Sequence, residues 1–242
     1  MHALVEGLRQ ALNLVLDGDP EVWSTTLRTL RVALEATAIA VAVGLPAGCL
    51  LGLGRFRGQR AVLSLSNAAM RFPPVAVGQL LWLLMWPHSR WGSGILAGLG
   101  WLYAPNAVIL AQTLLALPIV VALTAAAVQR VPAELLDQAR AFGAPAWRQA
   151  GLALREARTG VLAGIIAAMG VAISAVGAIL IVGTSLGQAT LATAAVTRWN
   201  SGGQDARSVA YGAVLLGLFL LIAAGLTRVQ HRRTPWIPGR PS

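Results

Sequence analysis

The sequence contains no lysine, and all 19 of its basic residues are arginine. A Walker A nucleotide loop needs a lysine on the phosphates and a Schiff-base enzyme needs a lysine amine, so both mechanisms are excluded for this chain. The single cysteine, Cys49, excludes an intrachain disulfide framework and a cysteine-based zinc site. Charged residues make up 12% of the chain, about half the fraction found in an ordinary soluble domain.

Apolar residues, in contrast, are abundant, at 56% of 242 residues with a mean hydropathy of +0.67. This content excludes intrinsic disorder and is typical of a chain surrounded by lipid. A helix needs about 20 apolar residues to cross a bilayer, and five stretches of at least roughly that length carry no charge. They cover residues 36–54, 72–89, 91–129, 159–197 and 208–227. Because lipid offers no partner to unpaired backbone groups, the sequence predicts an all-α integral membrane protein.

Local signals place five transmembrane helices within these stretches. Pro105 suits the start of the third span, and the small polar residues of 183–197 predict a loop after the fourth. The predicted spans are residues 36–54, 72–88, 105–128, 159–182 and 208–227.

The remaining segments flank or connect these spans. Residues 1–31 are predicted to form an N-terminal amphipathic interfacial helix followed by a linker, because apolar residues recur there at helical spacing. The transmembrane domain covers residues 32–228 and includes one long connecting loop at 129–158. Residues 229–242 form a tail.

Arginine counts predict the orientation of the chain. With five spans, 13 of the 19 arginines fall on one side, in the 55–71 loop, the 129–158 loop and the tail. The arginine-rich side of a membrane protein is cytoplasmic, so we expect the N-terminus outside and the C-terminus inside. The arginines are dispersed between apolar runs rather than gathered on one face, and we therefore expect no nucleic-acid binding.

The 129–158 loop has the composition of two short helices. Pro132 suits the first turn of a helix, where its missing N–H costs nothing. Gly143 suits the left-handed position that ends a helix, and Pro145 begins the next one. The loop is therefore predicted to form a helix, a glycine elbow and a second helix, a shape that can dock into a groove on a soluble protein.

The run from Asp137 to Gly143, DQARAFG, resembles the EAA signature of ABC importer permeases, with an acidic residue, two small residues and a glycine six positions after the acid. Longer runs resemble the permeases of tungstate importers, a branch close to molybdate and sulfate permeases. These runs are FPPVAVG from residue 72, PNAVILAQTLLALPIVV from 105, LREAR from 154, AISAVGA from 172 and LATAAV from 191. The resemblance covers about residues 30–228 and implies the type I ABC importer permease fold. Val171 and Ala175 differ from that branch, which commonly carries an arginine and a glutamate there.

In that family the loop contacts the ATPase subunit, so the resemblance implies an ATPase-coupling role for residues at the elbow. They are Asp137, Ala139, Phe142, Gly143 and Ala144. Phe142 and Leu136 would supply apolar contact, Gly143 would permit the close turn, and Asp137 would orient the short helix.

The resemblance also implies the partners of the chain. It implies a homodimer with two copies of a separate ABC ATPase, which binds ATP and Mg²⁺, and an extracytoplasmic substrate-binding protein. We expect no cofactor and no enzymatic activity on this chain itself. Its expected location is the prokaryotic cytoplasmic membrane, as a multi-pass protein in contact with lipid.

Four polar residues interrupt the apolar spans, namely Gln79, Gln112, Thr113 and Ser174. They either form hydrogen bonds between helices or line a translocation pathway. The loops on the predicted outer side contain Arg90, Arg198 and Arg207, which either draw an oxyanion toward the mouth or form a solvated surface.

Glycines repeat every four residues in two of the spans. Small residues at this spacing allow close packing of helices in lipid, and we expect them to pack within the bundle rather than to mark a subunit interface. They are Gly44, Gly48 and Gly52 in the first span, and Gly160 and Gly164 in the fourth.

The spans contain no carboxylate except Glu35 at an edge, which favours an external energy source over proton or sodium coupling. The predicted function is the translocation pathway of an ATP-driven oxyanion importer, with tungstate as the first candidate and molybdate next. An ion-coupled secondary transporter or a channel is the alternative. A membrane serine hydrolase at Ser185 is a remote one, since the sequence offers no evident histidine–carboxylate pair beside this G-x-S-x-G run.

Overall fold

The structure, a computed structural model, describes residues 9, 12–54, 56–87, 96–183, 190–200 and 206–231. Over these ranges it is helical throughout, with one 3₁₀ turn at Ala97–Leu99 and no β-strand, which confirms the predicted all-α fold. The helices are α1 (Pro20–Leu53), α2 (Gln59–Ala69), α3 (Pro74–Met85), α4 (Pro105–Gln129), α5 (Ala133–Ala141), α6 (Ala146–Glu156), α7 (Arg158–Ser174), α8 (Val176–Val182), α9 (Leu191–Asn200) and α10 (Ala206–His231).

Three of these helices, α1, α4 and α10, are long and apolar enough to cross a bilayer alone. Two further crossings require bent helix pairs, which are α2 with α3, at an angle of 102°, and α6 with α7, at 75°. If each bent pair crosses once, the chain has the five crossings that the sequence predicts.

Helix α1 begins much earlier than the first predicted span. The Asp19 side chain accepts hydrogen bonds from the backbone N–H groups of Glu21 and Val22, and Pro20 occupies the first turn. Residues 20–31, assigned from the sequence to a linker, therefore belong to this 34-residue helix. At about 1.5 Å per residue the helix is longer than the roughly 30 Å core of a bilayer. The predicted span began at residue 36 because the uncharged run begins there. The run does not include the capped, partly polar segment that precedes it in the helix.

The contact between α1 and α4 is the centre of the bundle. A Cβ atom on Gly44 would lie 2.8 Å from Val120 Cγ1, one on Gly48 2.7 Å from Thr124 Cβ, and one on Gly52 2.8 Å from Val128 Cγ1. The contacts advance four residues at a time on both helices, so α1 and α4 run parallel, with three glycines facing three β-branched residues. This confirms that the glycines of the first span pack within the bundle.

Helix α7 packs on the other side of α4 through the second pair of glycines. A Cβ on Gly160 would lie 2.7 Å from Ala127 Cβ, and one on Gly164 would lie 3.0 Å from Leu123 Cβ. Helix α10 covers α7 further along, where Ile222 and Phe219 approach Gly170. These contacts place α4 between α1 and α7 and leave α10 at the outside of the bundle.

Two of the predicted spans are interrupted. Helix α3 has only 12 residues, where residues 72–88 were predicted, and Ala175 separates α7 from α8 within the predicted span 159–182. The short helices pack on each other, because a Cβ on Gly78 would lie 2.7 Å from Ala178 Cα and one on Gly177 would lie 2.5 Å from Val75 Cγ2. The apolar run predicted one continuous helix over 159–182 because no charged residue marks the break at Ala175.

The segments at the periphery differ in part from the sequence prediction. Residues 12–16 are helical, with Leu14 and Val15 packed against the cluster around Val22, whereas residues 1–8 of the predicted interfacial helix lie outside the described range. The predicted loop 183–197 is helical from Leu191 onward, in α9. There the backbone N–H of Leu191 donates to Thr29 Oγ1 of α1, at 2.9 Å.

We expect Gly48→Ala to destabilise the bundle, because the added methyl group would lie 2.7 Å from both Thr124 Cβ and the backbone oxygen of Val121. Overpacking of this kind typically costs about 1–3 kcal/mol. Thermal unfolding in detergent measures the loss. Gly217→Ala is the matched control, since its Cβ meets no atom within 4 Å. Equal melting temperatures for the two variants would contradict the tight α1–α4 contact.

Candidate functional site

The loop between α4 and α7 forms two short helices joined at a tight elbow, which we define as residues 142–144. Helix α5 follows Pro132 and ends at Ala141, and α6 follows Pro145. Gly143 adopts φ +76°, which confirms the left-handed conformation that the sequence predicts for this glycine. The backbone N–H of Gly143 donates to Arg140 O at 2.8 Å, and that of Ala144 donates to Ala139 O at 2.9 Å. The half-buried residues Ala139 and Ala144 therefore close the turn through their backbones.

Arg140 connects the two helices of the loop. Its Nη1 atom forms a salt bridge to Asp137 Oδ1 at 2.8 Å, and its Nε donates to Gln149 Oε1 at 3.0 Å. The amide Nε2 of Gln149 donates in turn to Ala144 O at 2.8 Å. Asp137 thus acts on the elbow through Arg140 rather than directly. Sequence reasoning missed Arg140 and Gln149, because their pairing depends on the angle between α5 and α6.

The elbow and the first turn of α6 each expose one aromatic side chain. They lie at one end of the bundle, which we call the elbow end. Phe142 is 91% exposed and Trp147 is 69% exposed. The guanidinium of Arg148 lies 5.0 Å from the centre of the Trp147 ring, a cation–π distance. Large exposed aromatic residues beside a basic group are typical of a surface that binds another protein.

Leu136, on the opposite face of α5, packs into the bundle. It is 9% exposed and belongs to a buried cluster that connects the loop to three membrane helices. The buried members of that cluster are Cys49 of α1, Val128 of α4, Ala153 of α6, Ala157, and Val161 of α7. The expectation that Leu136 offers apolar contact to a partner is therefore wrong, because its side chain faces inward. The two short helices are instead packed against the ends of α1, α4 and α7.

The four polar residues of the spans separate into two pairs. Gln112 and Thr113 are buried in α4, and Thr113 Oγ1 lies 2.7 Å from Ile109 O and 3.3 Å from Ala36 O of α1. Both side-chain polar atoms of Gln112 are buried without a hydrogen-bond partner among the described residues. Gln79 and Ser174, in contrast, are exposed, and they lie on α3 and at the end of α7 respectively.

An ion-pair network lies at the end of the bundle opposite the elbow, which we call the far end. Arg207 Nη2 lies 3.1 Å from Asp19 Oδ2, Arg207 Nη1 lies 3.0 Å from Glu21 Oε2, and Arg198 also pairs with Glu21. The arginines lie on α9 and α10 and the carboxylates at the start of α1, so the network joins the first described long helix to the last. Arg198 and Arg207 are therefore held in ion pairs. They are not separately solvated side chains, and their charges are balanced by Asp19 and Glu21 rather than left to attract an anion. Arg90 lies outside the described residues.

The Asp19 carboxylate carries two roles at this end, as helix cap and as ion-pair partner. The hydrogen bond from the backbone N–H of Val22, followed by that from the Arg207 guanidinium, lowers the pKa of the Asp19 carboxyl below its usual value. The carboxylate therefore stabilises the folded state when it is ionised.

The remaining candidates are the serine of the hydrolase alternative and metal-binding side chains. Ser185, the nucleophile of the remote hydrolase alternative, falls in residues 184–189, outside the described range. Across the described ranges, no group of three or more His, Cys, Asp or Glu side chains could hold a metal ion.

Comparison with known proteins places the chain among transport proteins. Residues 44–235 match the family described as binding-protein-dependent transport system inner membrane component. The chain is 39% identical, over 90% of its length and 94% of the relative, to a probable anion ABC transporter permease protein of Haloferax volcanii. It is 31% identical, over 96% of its length and all of the relative, to the tungstate uptake system permease protein TupB of Peptoclostridium acidaminophilum.

The fold is also found in a solved structure. A chain of the MetNI methionine ABC transporter in inward-facing conformations superposes with a TM-score of 0.68. The match covers 90% of this chain and 99% of that chain at 20% sequence identity. It confirms the predicted type I importer permease fold.

We expect Gly143→Ala to weaken the elbow. No atom lies within 4 Å of the added Cβ, so the cost comes only from the left-handed backbone and should be about 1–2 kcal/mol. Hydrogen exchange of the amides of residues 142–144 should accelerate about 5- to 30-fold. The control, Gly151→Ala in α6, has open space and no positive φ, and should leave these amides unchanged. Unchanged exchange in Gly143→Ala would refute the strained turn.

The far-end network should weaken in acid. Because the folded-state pKa of Asp19 lies below its unfolded value, its stabilisation is complete above about pH 4 and is lost as the pH falls through the folded pKa. Asp19→Asn keeps a capping oxygen but removes the charge. We expect this variant to melt below wild type at pH 7 and to converge with it in acid, whereas Asp17→Asn, at an exposed carboxyl, should match wild type throughout. A pH-independent difference would contradict the ionic contribution.

Proposed function

Since the chain belongs to the family of binding-protein-dependent transport system inner membrane components, we propose that it forms the translocation pathway of an ATP-driven oxyanion importer, with tungstate as its first candidate substrate. Family membership over residues 44–235 is the observation that carries this proposal. Among the described residues, no specific observation favours the alternatives of a secondary transporter, a channel or a hydrolase.

The elbow is the proposed docking point for a separate ATPase subunit, which would bind ATP and Mg²⁺. Phe142 projects from the elbow, and Trp147 projects beside it from the first turn of α6. The opposite side of the same two helices packs on α1, α4 and α7 through the cluster around Leu136. A displacement of the elbow would therefore reach three membrane helices at once and could change which end of the pathway is open. In this proposal Asp137, Ala139, Gly143 and Ala144 hold the elbow's shape, and Phe142 makes the contact.

The proposed pathway follows the broken helices. Non-helical backbone at membrane depth is tolerated where protein covers it or where it lines a water-filled cavity. The breaks before α3 and after α7 lie together, because Val75 of α3 contacts Gly177 of α8. Gln79 and Ser174 are exposed on these elements and are the proposed lining residues. Gln112 and Thr113 lie inside the helix packing, and we assign them to the support of the pathway.

The oxyanion assignment rests on two supports. Relatives named as anion and tungstate permeases match almost the whole chain at 39% and 31% identity. The described spans also lack an unpaired carboxylate for ion coupling, because Glu35 Oε1 accepts a hydrogen bond from Arg31 Nε at 2.9 Å. An anion driven by external ATP hydrolysis suits such a pathway, and molybdate is the second candidate.

We further propose a homodimer in the prokaryotic cytoplasmic membrane, with the elbow end in the cytoplasm and the far end outside. The N-terminus is then outside, the C-terminus inside, and a substrate-binding protein docks at the far end. The excess of arginine in the elbow-end segments supports this orientation. Trp82 stacks on Trp86 and donates to Tyr103 Oη at 3.1 Å, as in an interfacial aromatic belt, which suits a membrane–water boundary on either side.

We expect Phe142→Asp to uncouple ATP hydrolysis from transport. A charge at the 91%-exposed apolar contact should weaken ATPase docking, so ATP-driven tungstate uptake into proteoliposomes containing the complete complex should fall at least about tenfold, equivalent to about 1.4 kcal/mol. Co-purification of the ATPase measures the docking itself.

The matched control is Phe56→Asp, at an exposed phenylalanine of the same end of the bundle that follows α1 and belongs to neither α5, α6 nor the elbow. It should retain uptake, and so should Phe142→Leu. Wild-type uptake by Phe142→Asp, or equal loss in both aspartate variants, would contradict the proposed docking point. Uptake of tungstate without an ATPase would overturn the proposed function.

A further inference from the structure

A cavity of about 560 Å³ opens between α4, α7 and α10 at the elbow end, on the side of α4 that α1 does not cover. Its walls within the bundle are small and apolar. They include Leu123 and Ala127 of α4, Gly160, Ala163 and Ala167 of α7, and Leu226 of α10. Its floor is the α4–α7 contact, where Gly160 meets Ala127. The cavity is thus a groove that is wide enough for a chain-like apolar group because its lining side chains are short.

The mouth of this groove is polar, with one basic and one acidic side chain in its lining. Arg130, the residue that ends α4, lines it together with Thr159 and Glu156. The first turn of α7, at residues 158–160, also borders the mouth and presents the positive end of a helix dipole. Arg158 and Arg228 are exposed at the same end of the bundle. The site therefore combines an apolar interior with a mouth suited to a phosphate.

The position of the groove matches a membrane–water boundary. The apolar part of α4 ends at Gln129 and that of α10 ends at Thr227, so the first arginine of each helix end, Arg130 and Arg228, follows directly. The groove interior lies among residues that precede these arginines, at the depth of hydrocarbon, and its mouth lies at the depth of lipid headgroups. Only 11% of the most apolar window of α10 is buried, so lipid can reach the groove from that side.

We propose that the groove binds an anionic glycerophospholipid from the leaflet at the elbow end, with one acyl chain between α4, α7 and α10 and the phosphate on Arg130. Basic pockets between transmembrane helices on the cytoplasmic side recognise anionic lipid in this manner. Residues 130–132 line the groove directly before α5, and Glu156, Ala157 and Thr159 line it at the junction of α6 with α7. A bound lipid would therefore fix both connections of the elbow helices to the membrane domain. This inference rests on the proposed function only for the cytoplasmic identity of the leaflet.

The test measures thermal unfolding of the purified full chain in detergent with phosphatidylglycerol, phosphatidylcholine or inorganic phosphate. For wild type, phosphatidylglycerol should raise the melting temperature at least about twice as much as phosphatidylcholine, and phosphate should have no effect. Arg130→Gln should remove at least half of the additional rise in melting temperature that phosphatidylglycerol gives over phosphatidylcholine. Ala163→Trp, which fills the groove, should remove the response to both lipids. Arg57→Gln is the matched control, at an exposed arginine of the elbow end that does not line the groove, and should respond as wild type does.

Several results would overturn the proposal. An equal response to both lipids would indicate a nonspecific lipid shell, and an equal response to phosphate would indicate a soluble anion. A full lipid response in both Arg130→Gln and Ala163→Trp would place the lipid elsewhere. If Ala163→Trp does not fold, Arg130→Gln still tests the proposal. Native mass spectrometry then measures whether this variant retains less phosphatidylglycerol than wild type. Loss of tungstate uptake in a folded Ala163→Trp with an intact lipid response would assign the cavity to the translocation pathway. The lipid proposal can thus fail while ATP-driven uptake by the wild-type complex stands.

Discussion

The close approach of α1 and α4 is the constraint on which the rest of the bundle depends. Three glycines on α1 face three β-branched residues on α4, and the hydroxyl of Thr113 lies 3.3 Å from Ala36 O across the same contact. Lipid tails are as apolar as the helices, so association in a membrane relies on such shape complementarity rather than on the hydrophobic effect. Helix α7 then packs on α4, α10 packs on α7, and the broken helices α3 and α8 pack on each other beside α4. A shift of α1 against α4 would move every one of these elements.

The elbow illustrates how a small motif can be both rigid and exposed. Its backbone turn is set by Gly143, its two helices are joined by Arg140, and its inner face is packed through Leu136. Phe142 is left with almost its whole surface in solvent, a costly arrangement for an isolated protein. In the proposed function, this apolar side chain makes the contact with another subunit. Since the packed face touches α1, α4 and α7, the same motif can transmit movement to the centre of the bundle.

Features of the fold that depend on neighbouring residues could be predicted from the sequence, whereas features that depend on contacts between distant helices could not. The all-α fold and the helix–elbow–helix loop followed from apolar runs and from Gly143 between two prolines, since those signals depend on neighbouring residues alone. The start of α1 at Pro20 was missed although its signals, the Asp19 cap and Pro20, are local, because the span was placed on the apolar run alone. The break at residue 175 has no such signal, and the helix after it, α8, packs on α3. The roles of Arg140 and Gln149, the inward direction of Leu136, and the groove beside Arg130 all require the angles between helices. Gln79, Gln112, Thr113 and Ser174 look alike in the sequence, yet two are buried and two exposed.

At the far end, the ion pairs of Asp19 and Glu21 with Arg198 and Arg207 have a kinetic consequence. Two carboxylates and two guanidiniums cancel one another, so this cluster presents little net field to a solute arriving by diffusion. Electrostatic steering accelerates capture only where one sign of charge predominates, and it fades as ionic strength rises. A free anion would gain no directional bias from this cluster. If a substrate-binding protein docks at the far end, as proposed, loading of the pathway would depend on hand-over from that protein rather than on capture of a free anion by this cluster.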